Sequence, residues 1–150
     1  MKTFDEGYYK DRVNSLTFTR SMGMRLLSAR DGKSVVECRG RTNLKNLSGM
    51  FHGGVMGTLV EVSIAAALRS LISPFIRLMT IEHSVTFLKP VLEGKVTAHA
   101  TILRLGKAIT MGTAEIRNAK GEAVAFGSAT ISLNKHRVKA ASSPSVENIP

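Results

Sequence analysis

The sequence predicts an α+β fold, a curved antiparallel sheet wrapped around one long buried helix, and three observations carry the prediction. The stretch FHGGVMGTLVEVSIAAAL, residues 51–68, is apolar almost all round for about four helical turns, so it must be covered on every side. From Thr80 onward apolar and polar residues alternate with a period of two, the repeat of half-buried strands. Turn signals at Asp31-Gly32, Leu105-Gly106-Lys107 and Ala119-Lys120-Gly121 join these strands by connections short enough only for antiparallel neighbours. Hairpin-linked strands beside one wholly apolar helix imply a sheet that curls about it.

Taken in order, FDEGYYKDRVN (4–14) mixes charges and aromatics at helical spacing and predicts a short helix. SLTFTRSMGMRLLSAR then reads as a strand up to the Asp31-Gly32 turn, and SVVECRGR (34–41) as its hairpin partner. TNLKNLSGM (42–50) has the Asn, Ser and Gly of a loop, and the helix runs from Gly53 to about Ser70. After Pro74, Ile81, His83, Val85 and Phe87 alternate with Thr80, Glu82, Ser84 and Thr86; Val96, Ala98, Ala100 and Ile102 alternate with Thr97, His99 and Thr101. Two more strands fall near 108–118 and 123–134, making a predicted four-strand meander. Residues 1–134 are expected to form a single domain, and the Ser- and Pro-rich segment 135–150 a flexible tail.

A chain of 150 residues buries a core without metal or disulfide. A single cysteine, Cys38, cannot form an intrachain disulfide, and MKTFDEGYYK lacks a signal-peptide core, so a cytoplasmic location is expected. Glu61, Arg69 and Ser73-Pro74 interrupt the richest apolar stretch, which excludes a membrane span there. The net charge of +10 attracts polyanions. No zinc-finger spacing and no RNP-like aromatic strand favours nucleic acid, and a phosphate-bearing substrate fits the charge equally well. The histidines, 52, 83, 99 and 136, show no HxxxH spacing, so no metal is expected. His83 is expected in the core or an interface, His99 at the surface, and Cys38 as an inert strand residue.

Two features of the helix call for an explanation. Helix starts expose unpaired N–H groups with partial positive charge, and Gly53 and Gly54 let a ligand approach them; the alternative is that the glycines only ease a tight loop-to-helix turn. Glu61 lies among Leu59, Val60, Val62, Ala65 and Ala66, where a buried carboxylate must be paired, protonated or working. The structural alternative is an ion pair with Arg69 or a lysine. Glu61 follows Gly53 by eight residues, about 12 Å along the axis, so the two serve one small reacting group only if a second copy of the helix runs antiparallel across a twofold axis.

Asn46, then His52-Gly53-Gly54, then Glu61, followed by TIEHSVTFLKP (80–90) and the turn RLGKAI (104–109), resembles the hotdog-fold acyl-CoA thioesterases of the phenylacetic-acid-degradation and 4-hydroxybenzoyl-CoA type. The resemblance covers roughly residues 20–134. It implies hydrolysis of an acyl- or aryl-CoA to a carboxylate and free coenzyme A, which is part of the substrate, so no separate cofactor is expected. By resemblance Gly53 offers its N–H to the thioester carbonyl, Asn46 helps bind that carbonyl or position water, and Glu61 acts as base or nucleophile. Thr80 matches a hydroxyl that orients water, and His52 a residue that fixes the loop and helix start. Many phenylacetic-type members carry aspartate where this chain has Glu61; glutamate is similar to the hydroxybenzoyl branch.

Lys89, Arg104 and Lys107 are candidate contacts for the coenzyme A phosphates, with solvated strand ends as the alternative. Met22, Met24, Met50 and Met56 either line an acyl pocket or fill core. The expected partners are the acyl-CoA and a second copy of the chain, as homodimer or homotetramer, with neither nucleic acid nor membrane. Two rivals remain: an enoyl-CoA hydratase or dehydratase, for which no helix places a histidine near an acid, and a non-catalytic acyl-CoA-binding protein.

Overall fold

In the computed structural model of the chain, residues 4–134 are described. The segment 135–150, expected as a tail, lies outside the described residues. Helices α1 (Glu6–Ser15) and α2 (Thr17–Ser21) precede β1 (Met24–Arg30) and β2 (Lys33–Arg39); a 3-10 turn at Thr42–Leu44 leads to α3 (Gly53–Arg69). Then come β3 (Arg77–Phe87), β4 (Lys95–Leu105), β5 (Ile109–Asn118) and β6 (Ala123–Asn134). The stretch read as one strand up to Asp31 divides: its first part is α2, and Gly23, at φ 63°, redirects the chain before β1 starts.

All six strands form one antiparallel sheet in the order β1-β2-β4-β5-β6-β3. The predicted meander holds for β4, β5 and β6, but β3 is not its first member. It pairs with β6 at the far edge, while β4 pairs with β2. The reason is α3, which lies over the inner face, touches every strand and delivers the chain to the opposite edge before β3 begins. A two-residue period shows that a segment is a strand, not which strand it joins.

The helix sits deep because the sheet beneath it is lined by small residues: Ala98, Ala100, Gly112, Ala114, Ala125, Gly127 and Ala129 all face inward and are buried. Into this trough α3 presses Leu59, Val60 and Ile64, each fully buried and each contributing about 1.5–3 kcal/mol by leaving water. A methyl group built on Gly112 would lie 2.7 Å from Ile64 Cγ2, and one on Gly127 would lie 2.5 Å from the Ser84 carbonyl oxygen and 2.7 Å from Val60 Cγ1. Backbone and a locked helix cannot both retreat, so Gly127→Ala is expected to destabilise the fold by about 3 kcal/mol; the shift in urea midpoint measures it.

One inward group is unsatisfied. The Thr110 hydroxyl is fully buried and has no hydrogen-bond partner among the described residues. Thr110→Val keeps the shape and removes the orphan, so it should stabilise by about 1 kcal/mol, read as a higher thermal midpoint. Cys38 is also wholly buried, and burial pushes its thiol up to about 11, in keeping with an inert strand residue.

On the outer face, Glu37 accepts from Lys95 Nζ at 2.8 Å and from Arg39 Nε at 3.0 Å. Lys95 first and Arg39 second hold its carboxyl below the ordinary value of 4.5. A carboxyl depressed in the folded state adds stability above that ordinary value and loses it as the pH falls through the lowered one. Thermal melts from pH 6 to 3 should therefore drop less steeply for Glu37→Gln than for the parent chain.

Strand β3 departs from simple alternation. Ile81 is an extra residue in a bulge between Thr80 and Glu82, which places Thr80, opposite the buried Ile131, on the same inner face as His83, Val85 and Phe87. Ile81 itself is 58% exposed, not half-buried as its position in the period predicts.

Candidate active site

The loop 45–52 and the start of α3 are built by local hydrogen bonds. Asn46 Oδ1 accepts from the backbone N–H of Ser48 and of Met50, closing a turn around Gly49, whose φ is 76°. With its carbonyl used, Asn46 has its NH₂ group left to offer. His52 is the N-cap of α3, and its Nδ1 accepts from the Gly54 N–H at 2.9 Å. The Val55 and Met56 amides bond to the His52 carbonyl. Gly53 alone in this first turn keeps an N–H without a protein acceptor among the described residues. Gly54 spends its amide on the cap, which removes that donor from a ligand.

Gly53 and Asn46 open on a shared cavity of about 360 Å³, walled by Met50, Phe51, Met56 and Phe87. Lys89 stands on its rim and pairs with Glu122 at 3.1 Å. Of the four candidate methionines, two line this cavity; Met24 lines a different cleft and Met22 packs against the core.

Glu61 is elsewhere. It is partly exposed rather than buried, and among the described residues neither Arg69 nor a lysine pairs with it. Arg69 instead donates to the carbonyls of Ser73 and Ile76, fastening the end of α3 to the next loop. Thr80 Oγ1 donates to Glu61 Oε1 at 2.8 Å, leaving Oε2 without a partner among the described residues. Sequence reasoning overstated the burial because one side of α3, at Thr58, Glu61, Val62 and Ala65, is only partly covered by this chain.

Strand β3 runs antiparallel to α3, and three contacts align them. Phe87 Cζ lies 3.0 Å from where a Gly53 Cβ would stand, His83 Nε2 lies 3.4 Å from a Gly57 Cβ, and Thr80 meets Glu61. His83 is exposed in the chain, not in its core, and rests on the helix midway between Gly53 and Glu61. Phe87 walls the cavity although, aromatic and apolar, it reads in the sequence only as a strand residue. Arg104 and Lys107 lie at the distal end of β4, about 30 Å of strand from the end that meets the cavity. The structure thus brings together Asn46, Gly53 and Lys89, and separately Glu61 and Thr80. Among the described residues no helix is long and apolar enough to cross a membrane, and no three His, Cys, Asp or Glu side chains could hold a metal ion.

One six-stranded antiparallel sheet wound on a single long helix, with a cavity at the helix start, is the hotdog fold. Comparison with known proteins agrees. A thioesterase of Haemophilus influenzae superposes with a TM-score of 0.80 at 23% identity, covering 88% of this chain and 92% of that one. A thioesterase of Staphylococcus aureus gives 0.76 at 22% identity, covering 79% and 99%. Its solved variants replace a glutamine and, fifteen residues further on, a glutamate, each by alanine. A Saccharolobus solfataricus protein, an esterase by name alone, is 24% identical over 120 residues, 79% of this chain and 85% of its own. The thioesterase superfamily matches residues 48–125, more than half of the sequence, and the chain belongs to that superfamily. It is a thioester hydrolase.

Proposed function

We propose that the protein hydrolyses an acyl- or aryl-CoA to the free acid and coenzyme A, at two identical sites shared between the subunits of a dimer. The observation that carries the reading is the division of labour along α3. An unengaged N–H at Gly53 opens on a cavity together with the Asn46 amide, while the carboxylate of Glu61 stands two turns away beside Thr80. A twofold axis near Gly57, the midpoint of the two, lays a second α3 antiparallel and brings Glu61 of one subunit to Gly53 of the other. The edge of β3 not paired with β6 supports this: it exposes Met79 and Ile81 and presents backbone groups that no described strand pairs, ready for a second β3.

In this arrangement the thioester carbonyl accepts from Gly53 N–H, with the Asn46 NH₂ as second donor. Charge developing on that oxygen then meets fixed donors at the positive end of a helix. Glu61, oriented through Oε1 by Thr80, uses Oε2 to take a proton from the water that attacks the carbonyl carbon, or attacks that carbon itself to give, once the thiolate has left, a mixed anhydride that water hydrolyses to the free acid. The tetrahedral intermediate collapses with departure of the coenzyme A thiolate. The variants of the Staphylococcus aureus protein change an amide and an acid fifteen residues apart, the interval that separates Asn46 from Glu61, which supports a paired role here.

The hydratase reading needs a histidine base. His52 spends Nδ1 on the helix cap and His83 rests against Gly57, and among the described residues neither is paired with an acid. The test is a panel of aryl-, short- and long-chain acyl-CoAs assayed for thiol release, with enoyl-CoA hydration measured alongside. Thiol release from at least one acyl-CoA is expected. Tight binding with no release across the panel would return the protein to the non-catalytic reading.

A further inference from the structure

Away from the Gly53 cavity, the outer side of β1 and β2 and the loop after α2 enclose a second cavity of about 770 Å³, into which Arg20, Arg25, Arg39 and Arg41 project. Four guanidinium groups in one cleft repel one another unless something negative lies between them, and one acid does: Glu37. It is already engaged, by Arg39 on one oxygen and by Lys95 on the other. Arg41 is held in place by donating from Nη1 to the Arg20 carbonyl at 3.2 Å. The backbone gives it room at Gly23, where a Cβ would stand 3.3 Å from Arg41 Nε and 2.9 Å from the Arg39 carbonyl. Arg20 and Arg25 have no acidic partner among the described residues, although Arg25 stands directly opposite Glu37 in the β1–β2 register.

The cleft therefore combines two anchored and two unengaged guanidinium groups; on the same wall Thr17 brings a hydroxyl, while the Asn14 amide is held at both ends by the Leu26 backbone and Ser21 donates to the Phe18 carbonyl. Planar guanidinium forks match phosphate oxygens two at a time, and the Thr17 hydroxyl suits a ribose or bridging oxygen of a nucleotide. We propose that this cleft binds a polyphosphate-bearing nucleotide. A concave wall of this kind suits a small polyanion better than a flat protein surface, and the excess of positive charge in the cleft is local rather than a share of the general +10. Nucleotide binding by the cleft stands apart from the thioesterase reading, because it uses none of the residues assigned to hydrolysis; only its assignment to the substrate's own nucleotide rests on that reading. The two cavities are neighbours: Gly40, between Arg39 and Arg41, packs against the ring of Phe51, which lines the Gly53 cavity. Two sources of the same chemistry therefore arise, the 3′-phospho-ADP half of an acyl-CoA and a free nucleotide.

The test is calorimetric titration of the full chain with ADP at low ionic strength. Saturable binding is expected, and Arg20→Ala with Arg25→Ala should weaken it by about tenfold or more, the loss of two charge-assisted contacts. Both side chains are exposed and support no other described contact, so the variant should melt like the parent. Lys33→Ala with Lys120→Ala removes the same charge elsewhere and should leave ADP affinity within about twofold at moderate salt. No saturable binding below roughly 1 mM, or an equal loss in the lysine variant, overturns the site. Steady-state kinetics then identify the source. A raised KM for acyl-CoA but not for the matching acyl-pantetheine, with kcat unchanged, assigns the site to the substrate's own nucleotide; ADP binding that persists under saturating coenzyme A, with KM unmoved, assigns it to a free nucleotide.

Discussion

Glu61→Ala should lower kcat on the best acyl-CoA by about 10²–10⁴-fold, the range lost with a general base, while the protein elutes and melts as the parent does. The expectation of an intact fold follows from the structure: Glu61 is partly exposed and, among the described residues, forms no ion pair and gives up only the hydrogen bond from Thr80. Glu61→Gln keeps that bond and the shape but not the proton-accepting oxygen, so it should be nearly as inactive, separating chemistry from packing. Thr80→Val leaves the carboxylate in place but unsteadied, and a smaller loss is expected. Single turnover in ¹⁸O-water separates the two roles of the carboxylate. Label recovered on Glu61 means the carboxylate attacked first, since only a mixed anhydride opened at the Glu61 carbonyl carbon places water oxygen there; direct attack of water on the thioester puts label in the released acid and none on Glu61. Parent-like turnover by Glu61→Ala would falsify the assignment.

Gly53→Pro should cost about 10²–10³-fold in kcat, the loss of one oxyanion donor. Proline at the first helical position removes that single N–H and nothing else from the helix. The preceding residue, His52, already has φ −65° and ψ 135°, a conformation compatible with a following proline. Only Phe87 Cζ stands close, at 3.0 Å from the new Cβ, and it is the far end of a ring that is 55% exposed and can swing aside. Mixing this variant with Glu61→Ala and allowing subunits to exchange tests the shared site. A heterodimer then holds one site with both defects and one with neither. Recovery towards a quarter of parental activity is the expected result for statistical mixing. A site within one chain predicts no recovery, since every copy carries one defect.

Much of the fold was legible from period and punctuation. The apolar run 51–68 is α3 to within a residue or two, the turns at Asp31-Gly32 and Lys120-Gly121 join the strands expected of them, and Ala98 and Ala100 face the core as their alternation demands. These are local properties: a helix or a hairpin is specified by neighbours a few residues apart. Where the sequence misled, the deciding contact was distant. Strand β3 belongs beside β6, and a single inserted residue, Ile81, carries Thr80 to the face where it meets Glu61.

The candidate site divides in the same way. His52, Gly53 and Asn46 form one short loop-to-helix unit, so their association can be read from spacing alone. By itself the sequence determined the residue types and the helix that separates Gly53 from Glu61, a separation that calls for a second copy if both serve one reaction. Only the tertiary structure decided that Glu61 is partly open and held by Thr80, that Gly54 has spent its amide, and that four arginines from α2, β1, β2 and the following loop converge on one cleft. Each of those depends on which strand lies beside which, a choice made by the packing of the whole sheet on α3 and written in no local stretch of the chain.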